Sequence, residues 1–130
     1  MGRGVTKVNS MTRTVLIVDD DTGMRELLKF KLGKNDFEVA TSANGRECLD
    51  HLETEPLPDL VLLDLMMPYM NGHEVLGRIR NDIDPALPVV LLTAAESREE
   101  IDDDIEVTDH IEKPFRMNEV VDCVERVLGE

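Results

Sequence analysis

Three short runs of the chain are almost wholly apolar: Thr14–Val18, Leu60–Leu63 and Pro88–Leu92. Runs of this length without alternation predict strands buried on both faces. Two mixed runs, Phe37–Ala40 and about Val107–Ile111, predict strands with one face in solvent. Between them, apolar residues recur at helical spacing. Met24, Leu27, Leu28 and Leu32 predict a first helix, which Gly33 would end. Asn44, with Glu47 on the next turn, reads as the cap of a second helix whose buried face is Cys48, Leu49 and Leu52. Asn71-Gly72 opens a third, burying Val75, Leu76 and Ile79, and Met117, Val120, Val121, Val124 and Leu128 form one stripe of a final helix.

Strands alternating with helices predict an α/β fold, a doubly wound, five-stranded parallel sheet with helices on both faces. The three apolar strands belong at its centre and the two mixed ones at its edges, which suits the order 2-1-3-4-5. In such a sheet a ligand sits beyond the carboxyl ends of the strands. Residues 1–11 fall outside the pattern and read as a disordered leader or a remnant of expression, with Met11 a candidate natural start. Residues 12–130 read as one domain.

Charge narrows the function. With 28 acidic and 14 basic residues, the net charge is −14. That field repels nucleic-acid phosphates and anionic membranes, so direct nucleic-acid binding is not expected. No apolar stretch approaches the ~20 residues needed to cross a bilayer. The first ten residues lack a signal peptide's apolar segment, and a cytoplasmic protein is expected. Cys48 and Cys123 fall in apolar helical patterns without metal-ligand spacing, as buried reduced thiols do.

The chemistry lies at the predicted strand ends. The first strand runs into Asp19-Asp20-Asp21, the third into Asp64, the fourth into Thr93, and the fifth is followed by Lys113-Pro114. Carboxylates gathered on one sheet edge repel one another unless a cation joins them. An all-oxygen set suits Mg²⁺ and not zinc, and a lysine with a threonine hydroxyl would complete a phosphate site. A carboxylate beside the metal can then attack phosphorus. Singly these features are ordinary: Asp21 can be just a helix cap, and Lys-Pro just a turn.

The segments VLIVDDD (15–21), LVLLDLMMPYMNG (60–72), VVLLTAAES (89–97) and IEKPF (111–115) carry a family resemblance. From Thr12 to Glu130 the chain resembles the receiver domains of two-component response regulators, which have a flavodoxin-like fold. The resemblance implies a signalling switch, not a turnover enzyme, that takes a phosphoryl group on Asp64 from a histidine kinase or histidine phosphotransfer protein. It implies that Asp20 binds Mg²⁺ directly and that Asp19 helps directly or through water. The backbone carbonyl of Met66 would be a further metal ligand. Thr93 would be the switch hydroxyl, Lys113 would bridge to the phosphoryl group, and the Lys113-Pro114 bond would be cis. A downstream partner or a separate output domain would read the change.

The chain departs from the family pattern before the last strand. Glu106-Val107-Thr108 replaces the usual Gly-Ala-Asp-like turn, and His110 stands where an aromatic switch residue is common. The stretch from Thr93 to Lys113 is shorter than in chemotaxis receivers. Its helix would be short and irregular, from Ser97 to about Ile105, with Asp102-Asp103-Asp104 between two isoleucines. His110 is the switch candidate, or else an exposed edge residue. Two other functions fit parts of the pattern. A receiver-fold module that is not phosphorylated would leave the acids unused. A phosphohydrolase using an aspartyl phosphate would want an acid where Met66 stands. In metal-free buffer, Asp20→Asn and Asp64→Asn are each expected to raise the thermal midpoint by a few degrees as repulsion is relieved. A fall in both midpoints would make these acids structural caps.

Overall fold

The computed structural model describes residues 12–67, 70–94 and 107–129. The predicted leader, Pro68 and the helix expected over Ser97–Ile105 lie outside these residues. In chain order the elements are β1 (Thr14–Val18), α1 (Thr22–Lys34), β2 (Glu38–Ser42), α2 (Gly45–Thr54), β3 (Leu60–Asp64), α3 (Gly72–Arg78), β4 (Val89–Ala94), β5 (Asp109–Lys113) and α4 (Met117–Val127). A π-helical turn, Ile79–Ile83, prolongs α3. All strand pairs are parallel, in the order β2-β1-β3-β4-β5. The doubly wound sheet expected from the hydrophobic pattern is the sheet observed.

Side-chain alternation divides β1, β3 and β4 between two cores. Leu16, Val18, Val61, Leu63, Val89 and Leu91 pack with Cys48, Leu49, Leu52, Val75, Leu76 and Ile79 of α2, α3 and the π-turn. Val15, Ile17, Leu60, Leu62, Val90 and Leu92 pack on the other face with Leu28 and Leu32 of α1 and Val120, Val121 and Val124 of α4. Every one of these strand residues is fully buried, so the runs are continuous, not alternating. At ~1.5–3 kcal/mol per large aliphatic side chain, these cores are the main attraction holding helices to sheet.

The structure corrects the sequence reading in three places. Leu27 does not join the buried stripe of α1: with Leu28 and Leu32 turned to the sheet, Leu27 and Phe30 point outward and are 55% and 66% exposed. That helix also runs past Gly33 to Lys34. Asn35 ends it, its side-chain amide donating to Lys31 O and its backbone N–H to Leu32 O, and Asp36 takes the left-handed conformation (φ 72°). Finally, β5 begins two residues later than expected. Thr108 docks the chain first, its N–H donating to Val89 O and its hydroxyl accepting from Val89 N–H. The shift makes Lys113 the last residue of β5, beside Ala94.

Gly45 opens α2 where it passes α3. A Cβ there would lie 2.6 Å from Val75 Cγ2 and 3.2 Å from Met70 Cβ. Alanine gains up to ~1 kcal/mol of helix propensity, but overpacking a rigid contact costs ~1–3 kcal/mol. Gly45→Ala is therefore expected to lower stability by about 1–2 kcal/mol in urea unfolding, the steric term winning. A stabilised variant would show that α2 and α3 separate freely.

Candidate functional site

The carboxyl edge of the sheet gathers the predicted residues. Asp19 follows β1 directly, held by its N–H to Ser42 O at 3.2 Å. Asp64 ends β3, paired with Leu92, and the next amide, Leu65 N–H, donates to Leu92 O. Thr93 and Ala94 of β4 lie level with Glu112 and Lys113 of β5. Asp19, Asp64 and Thr93 are buried, whereas Asp20 is exposed. One carboxylate oxygen from each of Asp19, Asp20 and Asp64 lies within 4.8 Å of the others.

Local hydrogen bonds orient each acid. Asp21 proves to be the N-cap of α1, its carboxylate accepting from Met24 N–H at 3.2 Å. The Asp21 N–H in turn donates to Asp19 Oδ1 at 2.9 Å, which fixes that carboxylate. Asp64 Oδ1 accepts from Met66 N–H at 3.0 Å and from Lys113 Nζ at 3.3 Å. The Lys113-Pro114 bond is cis, as expected.

The loop after β3 is pinned from behind. Gly72 N–H donates to Leu65 O at 3.1 Å, and a Cβ on Gly72 would lie 2.7 Å from Leu65 Cα and 3.0 Å from Asp64 O. Only glycine lets α3 start this close to the loop that carries Asp64 and Met66. Met66 itself is 58% exposed.

Two buried oxygens have no hydrogen-bond partner among the described residues: Asp19 Oδ2 and Thr93 Oγ1. Unsatisfied buried oxygens cost free energy, and a native protein keeps them where something else supplies the partner. A hard divalent cation at Asp19, Asp20 and Asp64 would meet the first need, and the all-oxygen donor set suits it. Burial pushes the Asp19 carboxyl up from 3.8 to about 6; the Asp21 amide and the Lys113 ammonium oppose this, and the adjacent Asp64 charge adds to it.

The remaining sequence candidates are placed elsewhere. His110 lies on β5 opposite Leu91, half-buried and outside the acid cluster. Strand alternation sets it on the sheet face opposite Ile111, which packs with α1 and α4. Cys48 and Cys123 are buried free thiols whose pKa values burial raises to about 12 and about 11, too high for thiolate chemistry. One participant escaped the sequence reading. Arg25, on α1, donates from Nη1 to the backbone O of Asp19 at 2.6 Å. Periodicity carries no sign of it, because its partner is a backbone atom; a base one helical turn after three acids was the sole hint.

The chain has relatives among known proteins. The sequence matches the family model of the response regulator receiver domain over residues 15–125. It is 38% identical over 120 residues to the sporulation initiation phosphotransferase F of Bacillus subtilis, covering 91% of this chain and 95% of that one. It is 34% identical to the alkaline phosphatase synthesis transcriptional regulatory protein PhoP of the same organism, covering 91% of this chain but 49% of PhoP. Among solved structures it resembles the response regulator protein TrrA of Thermotoga maritima in complex with Mg²⁺-BeF, with a TM-score of 0.81 and 32% identity over 89% of this chain and 99% of that one.

The raised Asp19 pKa has a definite sign. A carboxyl whose folded pKa lies above its unfolded value binds more protons when folded, so its charged form penalises folding above pH 6 and the penalty is gone below 3.8. In chelator, Asp19→Asn is expected to raise stability by on the order of 2 kcal/mol above that window. The gain should fade as pH falls through it, measured by urea midpoints across the range. A gain that does not change with pH would place its origin outside the ionisation of Asp19.

Proposed function

The chain belongs to the response regulator receiver domain family, and from that membership we propose that it accepts a phosphoryl group on Asp64 in a Mg²⁺-dependent reaction. It is a receiver domain of two-component signalling, a switch in place of a metabolic enzyme. The observation that carries the proposal is the meeting of two buried acids, Asp19 and Asp64, with the Lys113 ammonium 3.3 Å from Asp64 Oδ1 and, on the adjoining strand, a buried Thr93 hydroxyl without a partner among the described residues.

Each residue has a role that follows from its place. Asp64 supplies the nucleophile: a carboxylate oxygen forms a bond to phosphorus as the bond from phosphorus to the donor's histidine nitrogen breaks, and the nitrogen keeps that electron pair. Lys113 leaves Asp64 Oδ1 for the incoming phosphoryl oxygens, to which its ammonium adds positive charge. Thr93 Oγ1, buried and unpartnered, donates its hydrogen to the same group. Asp19, Asp20 and Asp64 would hold Mg²⁺ together with the Met66 carbonyl, and bound there it screens the charge of the phosphoryl oxygens. The domain catalyses its own phosphorylation and its slow hydrolysis.

The partners follow from the same reading. A histidine kinase or histidine phosphotransfer protein donates the group, and a downstream protein or a separate output domain reads the result. The net charge of −14 argues against direct nucleic-acid or membrane binding. Among the described residues no helix is long and apolar enough to cross a membrane. We place the protein in the cytoplasm and assign residues 12–130 to one domain. Readout passes from Thr93 through the β4–β5 edge, with His110 as the switch candidate in place of an aromatic ring.

Incubation with acetyl phosphate and Mg²⁺ is expected to add one phosphoryl group by intact-mass measurement. Chelator and Asp64→Asn should each abolish the adduct. An adduct that persists in Asp64→Asn, or none in the wild type, overturns the proposal.

A further inference from the structure

Asp19 stands where β1 has stopped pairing, and its backbone must be held by other means. Its N–H goes to Ser42 O and its carboxylate to Asp21 N–H. The carbonyl goes to Arg25, whose Nη1 lies 2.6 Å away while Nη2 reaches Thr22 Oγ1 at 3.3 Å. Both acceptors are neutral oxygens, one in the β1–α1 connection and one on the first residue of α1. The guanidinium fork thus ties the end of β1 to the first turn of α1.

We propose that Arg25 is a positioning residue for the divalent-cation site, acting through the Asp19 carbonyl; the inference rests on the Mg²⁺ reading of the acid cluster. The Asp19 carbonyl and the Asp20 N–H belong to one rigid peptide plane. Holding that carbonyl orients the plane, and with it the directions in which the Asp19 and Asp20 side chains leave the backbone. Asp20 is exposed, so packing does not set its direction. Its carboxylate nonetheless lies within 4.8 Å of those of Asp19 and Asp64. The charge-assisted bond from Arg25 to the Asp19 carbonyl, at 2.6 Å, constrains that placement.

The test compares Arg25→Met, which keeps the stem and helix propensity, with Arg25→Lys, whose ammonium can still reach the carbonyl. Mg²⁺ binding by titration calorimetry is expected to weaken ~10-fold in Arg25→Met, the scale of losing an outer partner of a metal ligand, and to recover largely in Arg25→Lys. Thermal midpoints in chelator should agree within a few degrees for both variants, while the rise on adding Mg²⁺ shrinks in Arg25→Met. Unchanged affinity in Arg25→Met, or an equal loss in both variants, overturns the inference. Should Arg25→Met fail to fold, Arg25→Gln is read on the same two measurements. A wild-type chain that binds no Mg²⁺ defeats the reading of the site itself, an outcome distinct from loss in the variant alone.

Discussion

Two acids buried side by side are the constraint on which the rest of the molecule depends. Asp19 and Asp64 meet at the end of a sheet, where burial raises the Asp19 carboxyl pKa and the neighbouring Asp64 charge adds to it. Such a pair persists only if the surrounding structure holds it there. The holding is done by three strands buried on both faces, whose two aliphatic cores press the acids against one edge. Lys113, the last residue of β5, brings the compensating charge to Asp64.

The same arrangement explains how stability and function are traded. Among the described residues Asp19 Oδ2 and Thr93 Oγ1 are buried without hydrogen-bond partners, a need that a bound cation and a phosphoryl group would meet. Around them, backbone amides do most of the orienting: Asp21 N–H for Asp19, Met66 N–H for Asp64. At Gly72 a Cβ would press on Leu65 and the Asp64 carbonyl, and its lack lets α3 start against them. Reactive side chains are thus aimed by main-chain groups, which conformational entropy penalises less than long flexible partners.

Much of this was legible along the chain because burial leaves a periodic trace. Runs such as Leu60–Leu63 can be continuous only where both faces of a strand are covered, so they announced a central parallel sheet. Asparagine followed by glutamate on the next turn announced the cap at Asn44, and its side chain does accept from Glu47 N–H. Leu27 misled, because helical spacing alone does not distinguish the face turned to the sheet from its neighbour 100° away. The start of β5 misled because an edge strand with few apolar residues leaves little periodic trace, and Thr108 docks beside Val89 before the strand begins.

By itself the sequence determined the class of fold, the sheet order and the identity of the acids at the strand ends, since each rests on local patterning or on chain order. Tertiary structure alone decided how those acids meet. Which oxygen of Asp19 is left unpartnered, which oxygen of Asp64 takes Lys113, and the bond from Arg25 to a backbone carbonyl all depend on separations of a few ångströms between groups distant in sequence or lacking a side-chain signature. Hydrophobic periodicity records which side of an element is covered; it does not record the angles and distances at which Asp19, Asp64 and Lys113 meet.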